Sequence, residues 1–469
     1  MPGRSTLTRM VRVPIDDCLA RVEEIDRPGT VVALRSVIAI DPDAETRTRR
    51  VARDDGPLAG VPVLVKDNIE AEGLPGTAGS LALLDVPTKD STVVERLRRA
   101  GAIVVGAANL SEWANIRSTR SSSGWSAVGG LVSNPWALDR SAGGSSSGSG
   151  AAVAAGIVEM AVGTETDGSI TCPAALNGVV GIKPTVGLVP TAGIVPVSGS
   201  QDTPGPLARR VDDAATMLAV LADDPALVAR SRSVDVASLR LGVVDAWRTG
   251  HAETDAVFDQ VLATFGSLFA RVAGVEIEPT PAEVSADEYE VLVHELRSDL
   301  DAYLARRCRS RGPRSLSDVV VFNREHGERE LVHFGQEIFE RAAKCAGRDA
   351  PEYVAARSRN LGWVRTRIEP FLADHEVLVA PAYAPAWKTD FVLGHPEAGG
   401  KVTSPAAIAG WPIVTVPMGM VAGLPVALSL VAGPRSEAAL IAAARAIEES
   451  LGLVLDTEWC PRFVAPSRG

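Results

Sequence analysis

The chain is 469 residues long and sets 58 acidic side chains against 47 basic ones, a formal charge of −11. With no basic stripe interleaved with aromatics, that balance excludes a nucleic-acid partner, because such affinity rests on many Lys and Arg contacts to phosphate. At 46% hydrophobic, with 43 Gly and 31 Pro, the composition is that of an enzyme-like globule rather than a disordered or fibrous chain.

In chain order, residues 14–54 set apolar positions at helical spacing among many charges (IDDCLARVEEID, DPDAETRTRRVARDD), which predicts outer helices. From residue 57, PLAGVPVLVKDNI predicts a strand, and STVVERLRRAGAIVVGAANL predicts a helix followed by a strand. A Ser/Gly-rich tract then runs to about residue 150 and leads into an Ala-rich apolar segment, AAVAAGIVEMAVG. After GPLARRVDDAATMLAVLADD, charged helical stretches continue to about residue 375, and ARRCRSRGPR at 305–314 reads as an exposed helix end. EVLVAPA predicts a strand and SEAALIAAARAIEESLG a final helix. Residues 402–434 carry no charge, but Pro405, Pro412, Pro417, Pro425 and Pro434, with four glycines, break the run into short pieces. PIVTV and LPVALSLV therefore read as strands buried on both faces, not as a membrane span. Strands alternating with helices at both ends of the chain predict one layered α/β/α unit.

The five cysteines (Cys18, Cys172, Cys308, Cys345 and Cys460) are scattered and never form a C-x-x-C pair, the pattern of a reducing compartment without disulfides or structural zinc. The first residues lack the apolar core of a secretory signal, so a cytoplasmic protein is expected. Only six of the basic residues are lysines: Lys66, Lys89, Lys183, Lys344, Lys388 and Lys401.

SAGGSSSGSG at 141–150 admits three readings. A flexible linker would not run straight into an apolar helix. A phosphate loop needs a lysine, and none lies between Lys89 and Lys183. Gly144-Ser145-Ser146-Ser147-Gly148 satisfies G-x-S-x-G, but the strand that a nucleophile elbow requires before it is replaced by the turn-rich NPWALDRSAGG. A second serine, Ser169, follows Thr166-Asp167-Gly168, where a D-G turn can aim consecutive backbone N–H groups at one point. All six histidines lie beyond residue 250, so none accompanies these serines in sequence. Lys66, at the end of an apolar run, is either a strand-terminal surface lysine or a buried base whose pKa burial lowers.

Taken together, VLVKDN, GGSSSGS and GTETDGSITCPAALNGVVGIKPTVGLVP resemble the lysine, cis-serine and nucleophile segments of the amidase signature family of serine hydrolases. ANLSEWANIRSTRSSSGWSAVGG, DTPGPLARRVDDAA and TSPAAIAGWPIVTVPMG resemble its peptide amidase branch in particular. The resemblance covers roughly 14–215 and 376–465 and implies an α/β/α layered fold with a central mixed β-sheet covered by helices on both faces. It also implies one amidase domain over 1–469, with N-terminal helices at 14–56, a signature core at 57–215, a variable helical region at 216–375 and closing strands and helix at 376–465. By the same resemblance Ser169 is the nucleophile, Ser145 the bridging serine after a cis Gly144-Ser145 bond, and Lys66 the base. The backbone N–H groups of Thr166, Asp167, Gly168 and Ser169 form the oxyanion hole, and Ser121 and Asp167 are candidate substrate contacts. Many members have glycine where this chain has Asp167, and arginine where it has Thr171, which argues against recognition of a substrate carboxylate there. Cys172 reads as a small buried thiol. The expected activity is hydrolysis of a carboxamide, of a peptide or an amino-acid-like compound, with no cofactor, metal or membrane partner, by a monomer or homodimer. The alternatives are acyl transfer on the same fold and a role as one component of a multi-protein amidotransferase.

Overall fold

The apolar runs become strands of one sheet. The computed structural model describes residues 13–30, 32–52, 56–396, 399–453 and 455. The strands in chain order are β1 (Val37–Ile40), β2 (Pro62–Lys66), β3 (Ile103–Ala108), β4 (Trp125–Ser126), β5 (Gly130–Leu131), β6 (Ser133–Asn134), β7 (Ala137–Ser141), β8 (Met160–Glu165), β9 (Val180–Lys183), β10 (Thr203–Ala208), β11 (Arg240–Val244), β12 (Arg271–Val275), β13 (Val377–Pro381), β14 (Ile413–Val421) and β15 (Leu424–Val431). Eleven of them form a sheet in the order β1-β3-β2-β8-β10-β9-β14-β15-β13-β11-β12, while β4-β5 and β6-β7 are separate two-stranded ribbons. The sheet is mixed: β3-β2-β8 and β13-β11-β12 run parallel, and the pairs between them are antiparallel.

Side chains alternate across each strand, so each face has its own core. Val63, Val65, Val104 and Val162 pack against Val94, Leu97, Leu218 and Ile447 of helices Thr92–Arg99, Val211–Ala222 and Glu437–Leu451. Leu64, Val105 and Ala161 face the other way, against Cys18, Val22, Val153 and Ala174. The uncharged 402–434 run supplies helix Thr403–Ala409 and the β14-β15 hairpin, with every residue of β15 buried. The layered architecture and the mixed sheet agree with the sequence. Among the described residues no helix is long and apolar enough to cross a membrane. Residues 1–12, on which the secretory-signal reading rested, and Cys460 lie outside the described residues.

Three local expectations change. The region read as outer helices contributes the edge strand β1, and the helical 216–375 region carries β11 and β12, which extend the other edge. Strand β10 contains Pro204 and Pro206, residues that cannot donate to a ladder. It keeps them by pairing with β8 along its whole length, while its ladder to β9 is confined to Leu207 and Ala208. The helix end at 305–314 is only partly exposed: helix Ala282–Arg307 ends there, and the Arg307 guanidinium is buried against the carbonyls of Pro75, Gly76 and Val86.

The Ser/Gly tract is neither linker nor elbow. Helix Ser147–Ala154 packs so closely on the sheet that its small residues are obligatory. A Cβ on Gly148 would collide with the backbone oxygens of Ser36 and Asn109, and neither carbonyl can move without breaking the sheet edge. Gly148→Ala is expected to cost about 3 kcal/mol of stability, read as a lowered urea midpoint. Ser146, the centre of G-x-S-x-G, is fully buried; its Oγ donates to the Thr164 carbonyl (3.1 Å) and accepts from the Thr164 N–H (3.2 Å), so it is structural.

Candidate active site

Lys66 closes β2 on the same face as Leu64, under the two short helices Ser147–Ala154 and Thr171–Asn177. It is fully buried. Its Nζ donates to Ser145 Oγ at 2.7 Å, to Thr164 Oγ1 at 2.9 Å and to the Thr164 carbonyl at 3.2 Å. Burial lowers its pKa from 10.5 to about 7, against the smaller opposing pull of Asp202 and Glu165. A neutral amine here keeps two N–H bonds to Thr164 and turns its lone pair toward the Ser145 hydroxyl, the arrangement of a base.

Ser145 is fully buried and follows a cis peptide bond from Gly144, as the family resemblance implies. Gly144 is confined by Ser111 and Ser123, whose hydroxyls occupy the space a Cβ would need. Ser169 sits across from it, joined through the backbone: the Ser146 N–H donates to the Ser169 carbonyl at 3.1 Å. The structure thus joins Lys66 to Ser145 by a side-chain bond and Ser145 to Ser169 by adjacent backbone. No hydrogen bond links the two serine hydroxyls directly among the described residues, a looseness common in unliganded sites.

The loop before Ser169 leaves donors free. Glu165, at the end of β8, accepts from the N–H groups of Ile170 (2.7 Å) and Thr171 (2.8 Å), capping the helix that follows. The N–H groups of Asp167, Gly168 and Ser169 donate to no protein acceptor among the described residues. Gly168 has φ +79°, and a Cβ there would collide with Tyr383 Oη, so only glycine fits. Thr166 donates through Oγ1 to Asp202 at 2.6 Å. Asp167 accepts from Ser404 at 2.7 Å and lies beside Glu288, whose carboxyl burial holds well above the ordinary range.

Of the candidate substrate contacts, Asp167 lies two residues before Ser169, whereas Ser121 Oγ accepts from the Ser118 N–H at 3.2 Å within its own turn. Thr171 is buried and bonded to Glu165 at 3.0 Å. Burial pushes the Cys172 thiol up to about 12, which rules it out as a thiolate nucleophile at neutral pH.

The sequence reading missed Thr164, Asn68 and Asp202. Asn68 donates to Thr164 Oγ1 at 3.0 Å and so completes the setting of the lysine. These three residues, with Thr166, border a cavity of about 610 Å³ whose far wall is Tyr303 and Arg306. Ala114 also lines it, from a left-handed turn in which Trp113, Ala114 and Asn115 all have positive φ (50°, 55° and 72°), each at a cost of about 1–2 kcal/mol. The variable region therefore borders a chamber that reaches Thr164, the residue bonded to the lysine, while Lys66, Ser145 and Ser169 are not among its lining residues. Among the described residues no group of three or more His, Cys, Asp and Glu is placed to hold a metal ion.

Comparison with known proteins is consistent across sequence and structure. The profile of the Amidase family matches residues 15–441. The native peptide amidase from Stenotrophomonas maltophilia superimposes with a TM-score of 0.86 at 41% identity, over 93% of each chain. An amidase family protein from Bacillus anthracis str. Ames superimposes with a TM-score of 0.81 at 27% identity, over 93% of this chain and 87% of that one. The A-type subunit of the Glutamyl-tRNA(Gln) amidotransferase from Symbiobacterium thermophilum is 33% identical, over 92% of each chain. The chain belongs to the amidase signature family of amide-hydrolysing enzymes.

Proposed function

We propose that Lys66, Ser145 and Ser169 are a catalytic triad that hydrolyses a carboxamide through an acyl-enzyme. The observation that carries this reading is the 2.7 Å bond between Ser145 Oγ and the Nζ of a fully buried Lys66, whose pKa burial lowers to about 7. Lys66 takes the Ser145 proton as Ser145 takes that of Ser169, and Ser169 Oγ bonds to the amide carbon. The oxyanion rests on the free N–H groups of the 166–169 loop, where one good donor lowers the barrier by about 3 kcal/mol. The proton returns along the relay to the leaving nitrogen as the C–N bond breaks. Water then repeats the attack on the Ser169 ester and releases the acid.

Likeness to a peptide amidase favours a peptide C-terminal amide or an amino-acid-like amide as substrate. A buried Thr171 and the Asp167–Glu288 pair at the same end argue against a substrate carboxylate. A second reading, one component of a multi-protein amidotransferase, is favoured by the relatives of that name. Acyl transfer to an added amine is the third. Ammonia release from a peptide amide by the purified chain alone supports the first reading; activity only with partner proteins supports the second, and amine-dependent products the third. We place the enzyme in the cytoplasm, a reading supported by the free state of Cys18, Cys172, Cys308 and Cys345, and take it to act as a monomer or homodimer.

The lysine fixes the sign of the pH dependence. A base with its pKa lowered to about 7 is protonated and idle below that pH, so kcat/KM rises with pH through about 7 and then levels. A profile flat from pH 5 to 9, with chemistry limiting, contradicts the assignment.

A further inference from the structure

One carboxylate is bonded to the loop that ends in Ser169 and lines the cavity beside the residues around the lysine. Asp202 Oδ1 accepts from Thr166 Oγ1 at 2.6 Å, at the start of the loop that ends in Ser169. Its Oδ2 accepts from the N–H groups of Val197 (2.8 Å) and Ser198 (2.9 Å), which fixes the cavity wall. Asp202 lines that cavity together with Thr164, which holds the lysine, and Asn68, which donates to Thr164.

We propose that Asp202 is a positioning residue for the proton relay: it anchors the oxyanion loop through Thr166 and supplies the negative charge that stabilises Lys66 as an ammonium once Ser145 has given up its proton. The proposal rests on Lys66 being the base. Two carboxylates act on Lys66, Asp202 first and Glu165 second. Glu165 is itself opposed by Lys183, with Asp167 nearby, and its Oε2 is committed to the helix N–H groups of Ile170 and Thr171. Asp299 acts on Asp202 with like charge and itself pairs with Arg348 at 2.7 Å, and Arg306 and Arg348 line the same cavity. Burial pushes Asp202 up to about 6, so its charge is present when Lys66 titrates near 7.

The site permits a charge-only test. In Asp202→Asn the amide oxygen can take the Val197 and Ser198 N–H groups while the NH₂ donates to Thr166 Oγ1, so the bonds survive and the charge is lost. Less stabilisation of the ammonium lowers the lysine pKa. The acid limb of the kcat/KM profile of Asp202→Asn on an amide substrate is expected about half a pH unit or more below the wild-type limb, with the plateau lowered several-fold by the weaker base. Thr166→Val releases the loop and also removes the hydrogen bond that holds the Asp202 pKa down, so it lowers the plateau and moves the limb less than Asp202→Asn does. Asp202→Ser, also uncharged, moves the limb the same way and serves if the asparagine variant does not fold. An unmoved or raised limb in the uncharged variant overturns the proposal. Absence of any acid limb in the wild-type enzyme overturns the lysine reading instead, so the two failures are distinct.

Discussion

Ser169→Ala is expected to lower amide hydrolysis by about 10⁴ or more, and Ser145→Ala and Lys66→Ala to do nearly as much, with the fold intact by circular dichroism. The reason is geometric. The relay is serial: of the two serine hydroxyls the lysine touches only that of Ser145, by one 2.7 Å bond, and Ser145 lies on the backbone that clasps Ser169. Removing any link leaves the others without a path for the proton. The losses therefore do not add, and Ser169→Ala/Lys66→Ala is expected to be no slower than Ser169→Ala within about threefold. Lys66→Arg is as inactive as Lys66→Ala, because a guanidinium cannot surrender its proton. Activity of Ser169→Ala within tenfold of wild type removes it as the nucleophile.

The second large effect is on stability. Lys66 titrates near 7 in the folded protein against 10.5 when solvated, so burying it costs the fold free energy. The sign follows from proton binding. Above about 10.5 neither state holds the proton and the cost vanishes; between 10.5 and 7 only the unfolded chain holds it, and stability falls as pH falls. Below about 7 both states hold it and the full penalty remains, about 5 kcal/mol. Lys66→Met removes the amine and fills its space, at the expense of the Thr164 and Ser145 bonds. The variant is expected to gain thermal midpoint relative to wild type, and the gain to be larger at pH 6 than at pH 10. A loss of midpoint that grows toward pH 6 contradicts the buried, depressed lysine.

The catalytic segments were legible because each departs from what a bland sequence would use. A lysine closing an apolar strand, in a chain with few lysines, marked Lys66, and the clustered serines and glycines were placed by their resemblance to the family's segments. The structure gives that clustering its cause, since Gly148 and Ser146 lie where larger or non-bonding residues would break the contact between helix and sheet. Lys183 was equally rare and is equally buried, yet it passed unnoticed because its role is set by residues far along the chain: it donates to the Trp411 carbonyl at 2.7 Å and balances Glu165 and Asp167. The same distance hid Asp202, which lies well beyond the nucleophile in sequence and reaches back through Thr166. Strands β1 and β12 were missed because edge strands bury only part of one face: β1 exposes three of its four residues in part, and β12 has a single buried residue, so neither shows a sustained apolar run. The prolines of β10 are tolerable because its ladder to β9 is confined to Leu207 and Ala208.

The whole mechanism turns on where the acyl group is carried. The direct measurement is mass spectrometry of the enzyme quenched during turnover of a slowly deacylating amide, or treated with a serine-directed acylating inhibitor, followed by peptide mapping. One adduct is expected, on Ser169, absent from Ser169→Ala and formed more slowly below pH 7. An adduct on Ser145, Ser146 or Cys172, or turnover by an enzyme whose Ser169 stays unmodified throughout, contradicts it.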